Sequence, residues 1–328
     1  MTTVIDVHTH MMSPRYIELL RQHGGPRYTV ASVPGGRQAI HLDGAPFTTL
    51  YDEMFDYERR IGNMDKAGVD VAIVSLTCPN VFWGGREVSV QAARLLNDEM
   101  RQAQEEWPQR LRWFASLPWQ HADAAVAELE RARARGAVGV MALANIGGEA
   151  VTAPAFAPMW EAIDRLGLPV LLHPTAPQGL GEMNMSQFAL VASTGFMMDT
   201  TLALSRMIFD GFFDRYPRLK IIGGHGGGTL PFILGRLDRC YDTIAACREK
   251  IGRRPSSYAR QIYVDTVVYQ QSSLALDIEV FGEDNLLYGS DYPHNIGDMA
   301  GCLSRVDGLP QGQRVKVRGR NAERIFAL

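Results

Sequence analysis

Cysteine is scarce in this chain. Cys78, Cys240, Cys247 and Cys302 are scattered through 328 residues with no CxxC spacing. That excludes a disulfide-stapled mini-protein and an all-cysteine metal site. Charge imbalance is missing too. Thirty-three basic against 36 acidic residues leave a formal net charge of -3, which gives no electrostatic case for nucleic acid or an anionic membrane surface. No apolar run approaches the ~20 residues needed to cross a bilayer. The opening MTTVIDVHTHMM shows no basic stretch followed by an apolar one, so it does not read as a secretory signal. The expectation is a soluble, cytoplasmic protein with free thiols.

What the chain does have is alternation. Short apolar, β-branched runs are predicted as strands at Val4–His8, Val69–Leu76, Leu111–Leu117, Ala137–Leu143, Leu168–His173, Leu219–Gly224, Gln261–Thr266 and Asn285–Ser290. Helical periodicity fills the intervals: Asp56–Ala67, Ser89–Trp107, Ala122–Arg135, Phe156–Leu166, Thr200–Phe213, Leu230–Ala246 and Leu274–Phe281. Runs such as VAIVSL and VLLH are apolar throughout, as parallel strands buried on both faces require. Eight strands, the first seven each followed by a helical segment, predict an α/β fold of the (β/α)8 TIM-barrel type. A doubly wound open sheet is the alternative, and no GxGxxG follows the first strand to support it. No linker or repeat divides the chain, so residues 1–328 are read as a single domain. Residues 11–55 form an insertion after the first strand, too long for a simple βα loop. Within it, Gln38–Leu42 and Pro46–Leu50 flank Asp43–Gly44, a type I′ hairpin signal. A second long connection covers Thr175–Phe196. Both are expected over the barrel mouth.

Candidate chemistry gathers at the strand ends. His8 and His10 are two apart in VIDVHTH, so a strand turns both imidazoles to one side. His173 ends the fifth strand, His225 follows the sixth in IIGGHGGG, and Asp291 follows the eighth in YGSDYP. A lone histidine at a strand end is usually structural. Here four of the eight histidines and one aspartate fall where barrel strands converge on the active-site face. Imidazole nitrogens with one carboxylate suit zinc, with manganese, iron and cobalt also compatible, and leave an open coordination position. Asp6 is placed to accept a histidine N–H from behind the site. Phe82 and Trp83 follow the second strand, either lining an aromatic pocket or packing. His294, in DYPH, either contacts substrate at the mouth or lies behind it. Gly226–Gly228 allows close approach, and no GK[ST] follows to make it a P-loop. His23, His41 and His121 lie away from strand ends.

VIDVHTH, LLHP, GGHGGG and YGSDYP, in that order, resemble the amidohydrolase superfamily. The segments MDKAGVDVAIVS, FDRYPRLKIIGGHGGGTLPFILGRLDR and FGEDNLLYGSDYPH resemble more narrowly its decarboxylase-rich branch, typified by 2-amino-3-carboxymuconate 6-semialdehyde decarboxylase. The resemblance covers nearly the whole chain. It implies that His8, His10, His173 and Asp291 bind one divalent metal ion, usually zinc, and that His225 acts in acid/base catalysis beside it. It implies that Arg236 binds a substrate carboxylate from the neighbouring subunit of a homodimer; the plainer alternative is a surface salt bridge with Asp238 or Asp242. Asp199 matches an acidic position that orients a helix or Arg236. Some superfamily members carry a bridging lysine after the fourth strand, where this chain has Ala144 and Asn145, so a mononuclear site is expected. Two departures mark the chain. The branch has arginines where Thr48 and Tyr51 stand, and a tryptophan where Thr175 stands, which points to a different substrate.

The implied reaction is non-oxidative decarboxylation of a small hydroxy- or amino-substituted aromatic or conjugated carboxylate, with Asp291 and His225 catalytic and no organic cofactor. The alternative is hydrolysis of a C–N, lactone or vinylogous C–C bond, since the same ligands activate water elsewhere in the superfamily. A non-catalytic metal-binding protein has no use for the base at His225.

Overall fold

The computed structural model describes residues 2–328. Eight parallel strands form one sheet in which chain order is also spatial order. They are β1 (Ile5–His10), β5 (Val71–Ser75), β6 (Leu111–Ser116), β7 (Gly139–Leu143), β10 (Pro169–His173), β11 (Lys220–Gly223), β12 (Ile262–Asp265) and β13 (Leu286–Leu287). The last joins the first. Val7 N–H donates to the Tyr288 carbonyl at 2.9 Å, Asp291 N–H to His8 at 2.8 Å and His10 N–H to Tyr292 at 2.8 Å. This closure makes the sheet a barrel. β7 and β10 are buried along their whole length, as their uninterrupted apolar sequences require.

The helices pack outside: α2 (Tyr57–Ala67), α3 (Arg86–Glu106), α4 (Ala122–Ala134), α5 (Ala157–Leu166), α6 (Phe196–Phe209), α7 (Phe212–Arg215), α9 (Leu230–Thr243) and α10 (Gln271–Phe281). α2 shows why its sequence is helical. The Asp56 side chain accepts from Arg59 N–H at its start, and Gly68 closes its end at φ 75°. Ile61 and Met64 face the core. Beyond β13, α11 (Met299–Asp307), α12 (Gln311–Val315) and α13 (Asn321–Phe326) complete the shell, a helical region outside the predicted elements.

The insertion is more built than the sequence predicts. It opens with α1 (Pro14–His23), capped by Ser13. An antiparallel sheet follows, of β2 (Tyr28–Ser32), β3 (Gln38–Leu42) and β4 (Ala45–Thr49). The Asp43–Gly44 turn is there, with φ of 49° and 84°, the left-handed pair that a type I′ turn requires. A two-strand ribbon, β8 (Asn145–Ile146) and β9 (Glu149–Ala150), follows β7.

One expectation needs correction. The stretch Gln187–Phe209 is long and apolar enough to cross a membrane by length and composition. Its α6 half buries Ala203, Leu204, Met207 and Ile208 against the barrel, the packing of a core-facing barrel helix. Its outward residues include Met198 and Leu202, both exposed.

Candidate metal centre

At the C-terminal end of the strands, one ligand atom each from His8, His10, His173 and Asp291 lies within 4.8 Å of the others, and all four residues are buried. His8 Nε2 is 3.1 Å from His10 Nε2, and Asp291 Oδ1 is 3.2 Å from His10 Nε2 and 3.5 Å from His8 Nε2. The hydrogen bonds behind the rings set their tautomers. His8 Nδ1 meets Asp265 Oδ2 at 2.5 Å, and His173 Nδ1 donates to the Pro174 carbonyl at 2.7 Å. Ser75 hydroxyl donates to the Thr9 carbonyl, leaving its oxygen to accept from His10 Nδ1 at 3.0 Å. Three Nε2 lone pairs and a carboxylate therefore point at one another. His173 Nε2 is buried with no partner. A proton shared between His8 and His10 satisfies two of these acceptors and leaves His173 bare, whereas one divalent cation satisfies all four. The donor set fits a metal ion.

Electrostatics agree. Burial pushes His10 down to about 3, and burial with the neighbouring imidazoles holds His173 well below its ordinary value. Burial opposes charge on His8 as well, yet the Asp265 carboxylate outweighs it and raises the group. Against its own burial, Asp291 is held well below the usual carboxylate range by His294, His10 and His225. The centre thus favours positive charge between Asp265 and Asp291.

His225 stands beside this group. Its Nε2 is 3.5 Å from Asp291 Oδ2, and its Nδ1 is buried without a partner. It sits in the short turn α8 (Gly224–Gly227) with φ of 57°, and Asp291 has φ of 59°. Left-handed conformations at two non-glycine site residues are strain held by their surroundings. Asp265 is one holder, accepting the N–H of His225 at 3.0 Å and of Gly226 at 3.1 Å. Gly226 is required to be small. Its φ is 64°, and a Cβ there would meet Val268 at 2.7 Å and Asp277 at 2.8 Å.

Behind β1, Arg60 of α2 is fully buried. Its guanidinium donates to the Thr9 hydroxyl and the His10 carbonyl and lies 4.7 Å over the Tyr292 ring. It therefore fixes the strand end that carries both histidines.

Other expected residues fall as follows. Asp6 accepts from the His8 backbone N–H and the Ser290 hydroxyl, while Asp265 takes the imidazole. The sequence reading missed Asp265, Ser75 and Arg60. The one signal for Asp265 was its place at the end of a predicted strand, in YVDT. Asp199, on α6, accepts from the Asn145 amide at 2.9 Å and from Thr175 N–H at 2.9 Å, tying α6 to the segments that follow β7 and β10.

The centre floors a cavity of about 410 Å³, roofed by the β3–β4 hairpin and the Thr175–Phe196 connection. His294 lines it, 3.1 Å from the Thr77 hydroxyl and with its ring 5.1 Å from that of His10. Phe82 and Trp83 are not among its lining residues. The Trp83 indole N–H turns instead to the Asn80 carbonyl at 2.7 Å and packs on Tyr16, because a half-buried indole must satisfy its donor. Arg236 does not line the cavity of its own chain either. It is exposed on α9, one turn after Phe232.

A family model described as Amidohydrolase matches residues 5–328. A 2-amino-3-carboxymuconate-6-semialdehyde decarboxylase from Dictyostelium discoideum is 29% identical over 300 residues, covering 90% of this chain and 83% of that protein. A gamma-resorcylate decarboxylase from a Rhizobium species is 29% identical over 284 residues, covering 83% and 87% respectively. The crystal structure of 5-carboxyvanillate decarboxylase from Sphingomonas paucimobilis superposes with a TM-score of 0.87 at 28% identity, covering 100% of both chains.

Proposed function

Since this chain belongs to the amidohydrolase family, and its similar proteins are decarboxylases of aromatic or conjugated carboxylates, we propose that it is a metal-dependent, non-oxidative decarboxylase of a small aromatic carboxylate. The observation that carries the reading is the set of four buried acceptors with an unligated His225 beside them.

A divalent ion held by His8, His10, His173 and Asp291 would supply a Lewis-acid anchor for substrate oxygens. The chain's own residues do the rest. The strand ends aim the three Nε2 atoms, and Asp265, Ser75 and the Pro174 carbonyl lock those rings. His225 and Asp291, 3.5 Å apart, are placed to hold and hand over one proton. That proton goes to the ring carbon bearing the carboxylate. The C–C electron pair then returns to the ring as carbon dioxide leaves, and aromaticity is restored. The net change is loss of CO2 and gain of one proton at carbon, with no electron acceptor needed. Zinc is our assignment for the ion that these residues would hold, from the imidazole-rich donor set, and manganese is the alternative. His294, on the Thr77 side of the cavity, contacts the substrate.

We also read the protein as a homodimer in which Arg236 enters the partner's site. Phe188 and Phe232 are 87% and 83% exposed. Together with Met198 and Leu202 they lie on α9 and the α6 stretch, which pack against each other. An exposed apolar face of this kind marks an interface, and Arg236 borders it.

A panel of aromatic and conjugated carboxylates, followed by carbon dioxide release and by ultraviolet absorbance, tests the activity. Release of CO2 in step with the spectral change supports the decarboxylase. Spectral change without CO2 supports the hydrolytic alternative.

A further inference from the structure

The wall of the cavity away from the metal centre carries no cation from this chain. Among the described residues, no lysine or arginine lines it. Arg37 lies 5.2 Å over the ring of Tyr51, a lining residue, but itself lines a separate groove with Gln38 and Asp52. Arg60 is committed to Thr9 and His10. The polar groups on this wall are uncharged and partly engaged. Thr48 is buried and donates to the Cys78 carbonyl at 3.3 Å, and burial pushes the Cys78 thiol up to about 11. The rest is apolar. Phe196 packs edge-on to Phe47 at 6.3 Å and to His173 at 6.4 Å, so one aromatic wall runs from the metal centre to the hairpin. Met185 and Ile296 face the same space. At about 410 Å³ the cavity is well over twice the ~150 Å³ that holds benzene in an engineered core.

We propose that the substrate is a hydroxylated aromatic monocarboxylate whose ring bears an uncharged apolar substituent, an alkyl chain or a fused ring, lodged against the Phe47–Phe196 wall. A second carboxylate there would be buried without a cation to pair with, because this chain supplies none and Arg236 of the partner subunit is taken up by the carboxylate that is lost. That burial is strongly unfavourable, whereas an alkyl group gains by leaving water. This deepens the decarboxylase reading and rests on it.

The test uses the wild-type metal-loaded enzyme with a 2-hydroxybenzoate, its alkyl-substituted and fused-ring analogues, and a hydroxylated benzene dicarboxylate. The expected kcat/KM rises about fourfold for each added buried methylene, and the dicarboxylate falls at least about tenfold below the unsubstituted acid. Thr48→Arg is expected to raise turnover of the dicarboxylate and lower that of the alkylated acid. Because an arginine at this buried position can impair folding, binding of the product phenols to the wild-type enzyme is measured as well. Alkylphenols are expected to bind more tightly than carboxyphenols. A dicarboxylate turned over as well as the alkylated acid, or a carboxyphenol bound as tightly as an alkylphenol, overturns the proposal. If no acid loses CO2, the decarboxylase reading fails, and the phenol series still decides the character of the cavity.

Discussion

The Nδ1 of His8 and the Oδ2 of Asp265 are 2.5 Å apart in the barrel interior, both fully buried. The same oxygen accepts the backbone N–H of His225 at 3.0 Å. One carboxylate therefore holds both a ring of the candidate metal centre and the loop that carries His225, the proposed acid/base residue.

Asp265→Asn is accordingly expected to weaken metal binding by about 10- to 100-fold, the usual cost of losing a carboxylate behind a ligating histidine. Competition against a chromophoric chelator measures it. Unchanged affinity would mean that Asp265 serves only the backbone.

His225→Gln should behave differently. It leaves the four ligands in place, so metal content stays at one ion per chain while kcat falls by about 10²- to 10⁴-fold. Metal analysis and steady-state kinetics on the same preparation separate the two effects. Near-normal turnover would remove His225 from proton transfer.

Asp277 gives a stability prediction. It is buried on α10, its Oδ2 has no hydrogen-bond partner, and burial together with the Asp265 charge raises it from 3.8 to about 8. Between those two values the folded protein keeps a proton that the unfolded chain has lost. Stability therefore falls as pH rises through this window and levels off above it. Asp277→Asn has no such proton. Its melting temperature should gain on the wild type from pH 5 to pH 8, and a constant difference across that range would contradict the assignment.

The shared-site reading predicts subunit complementation. On that reading Arg236→Ala and His225→Gln are each expected to lack activity as pure dimers. Mixed and refolded in equal amounts they should recover about a quarter of wild-type activity, because half the dimers are mixed and each has one complete site. No recovery, with mixed dimers demonstrated, places Arg236 outside catalysis.

The sequence carried the barrel and its ligands because both have local signatures. Strands buried on two faces read as unbroken apolar runs, so Val170–His173 and Val71–Ser75 were visible, and each ligand sits at a strand end. The Asp43–Gly44 turn was legible because its conformation demands those residues. The strand β2 was not, since it is largely exposed and lacks a buried stripe. α1 was missed although Ser13–Pro14 offered a cap. Asp265 was hidden for another reason: it acts on a histidine 257 positions away, and no local pattern records such a pair. Pocket and packing stayed open for Trp83 because an aromatic after a strand does not disclose where its N–H will turn.

The most direct test of the account is turnover of a hydroxylated aromatic carboxylate in deuterium oxide by metal-stripped and metal-restored protein. The account predicts one CO2 released and one deuterium bound at the vacated ring carbon per turnover. Both are lost on stripping and restored by one equivalent of zinc or manganese. Undiminished turnover by the stripped protein, or a product that gains water without releasing CO2, would contradict it.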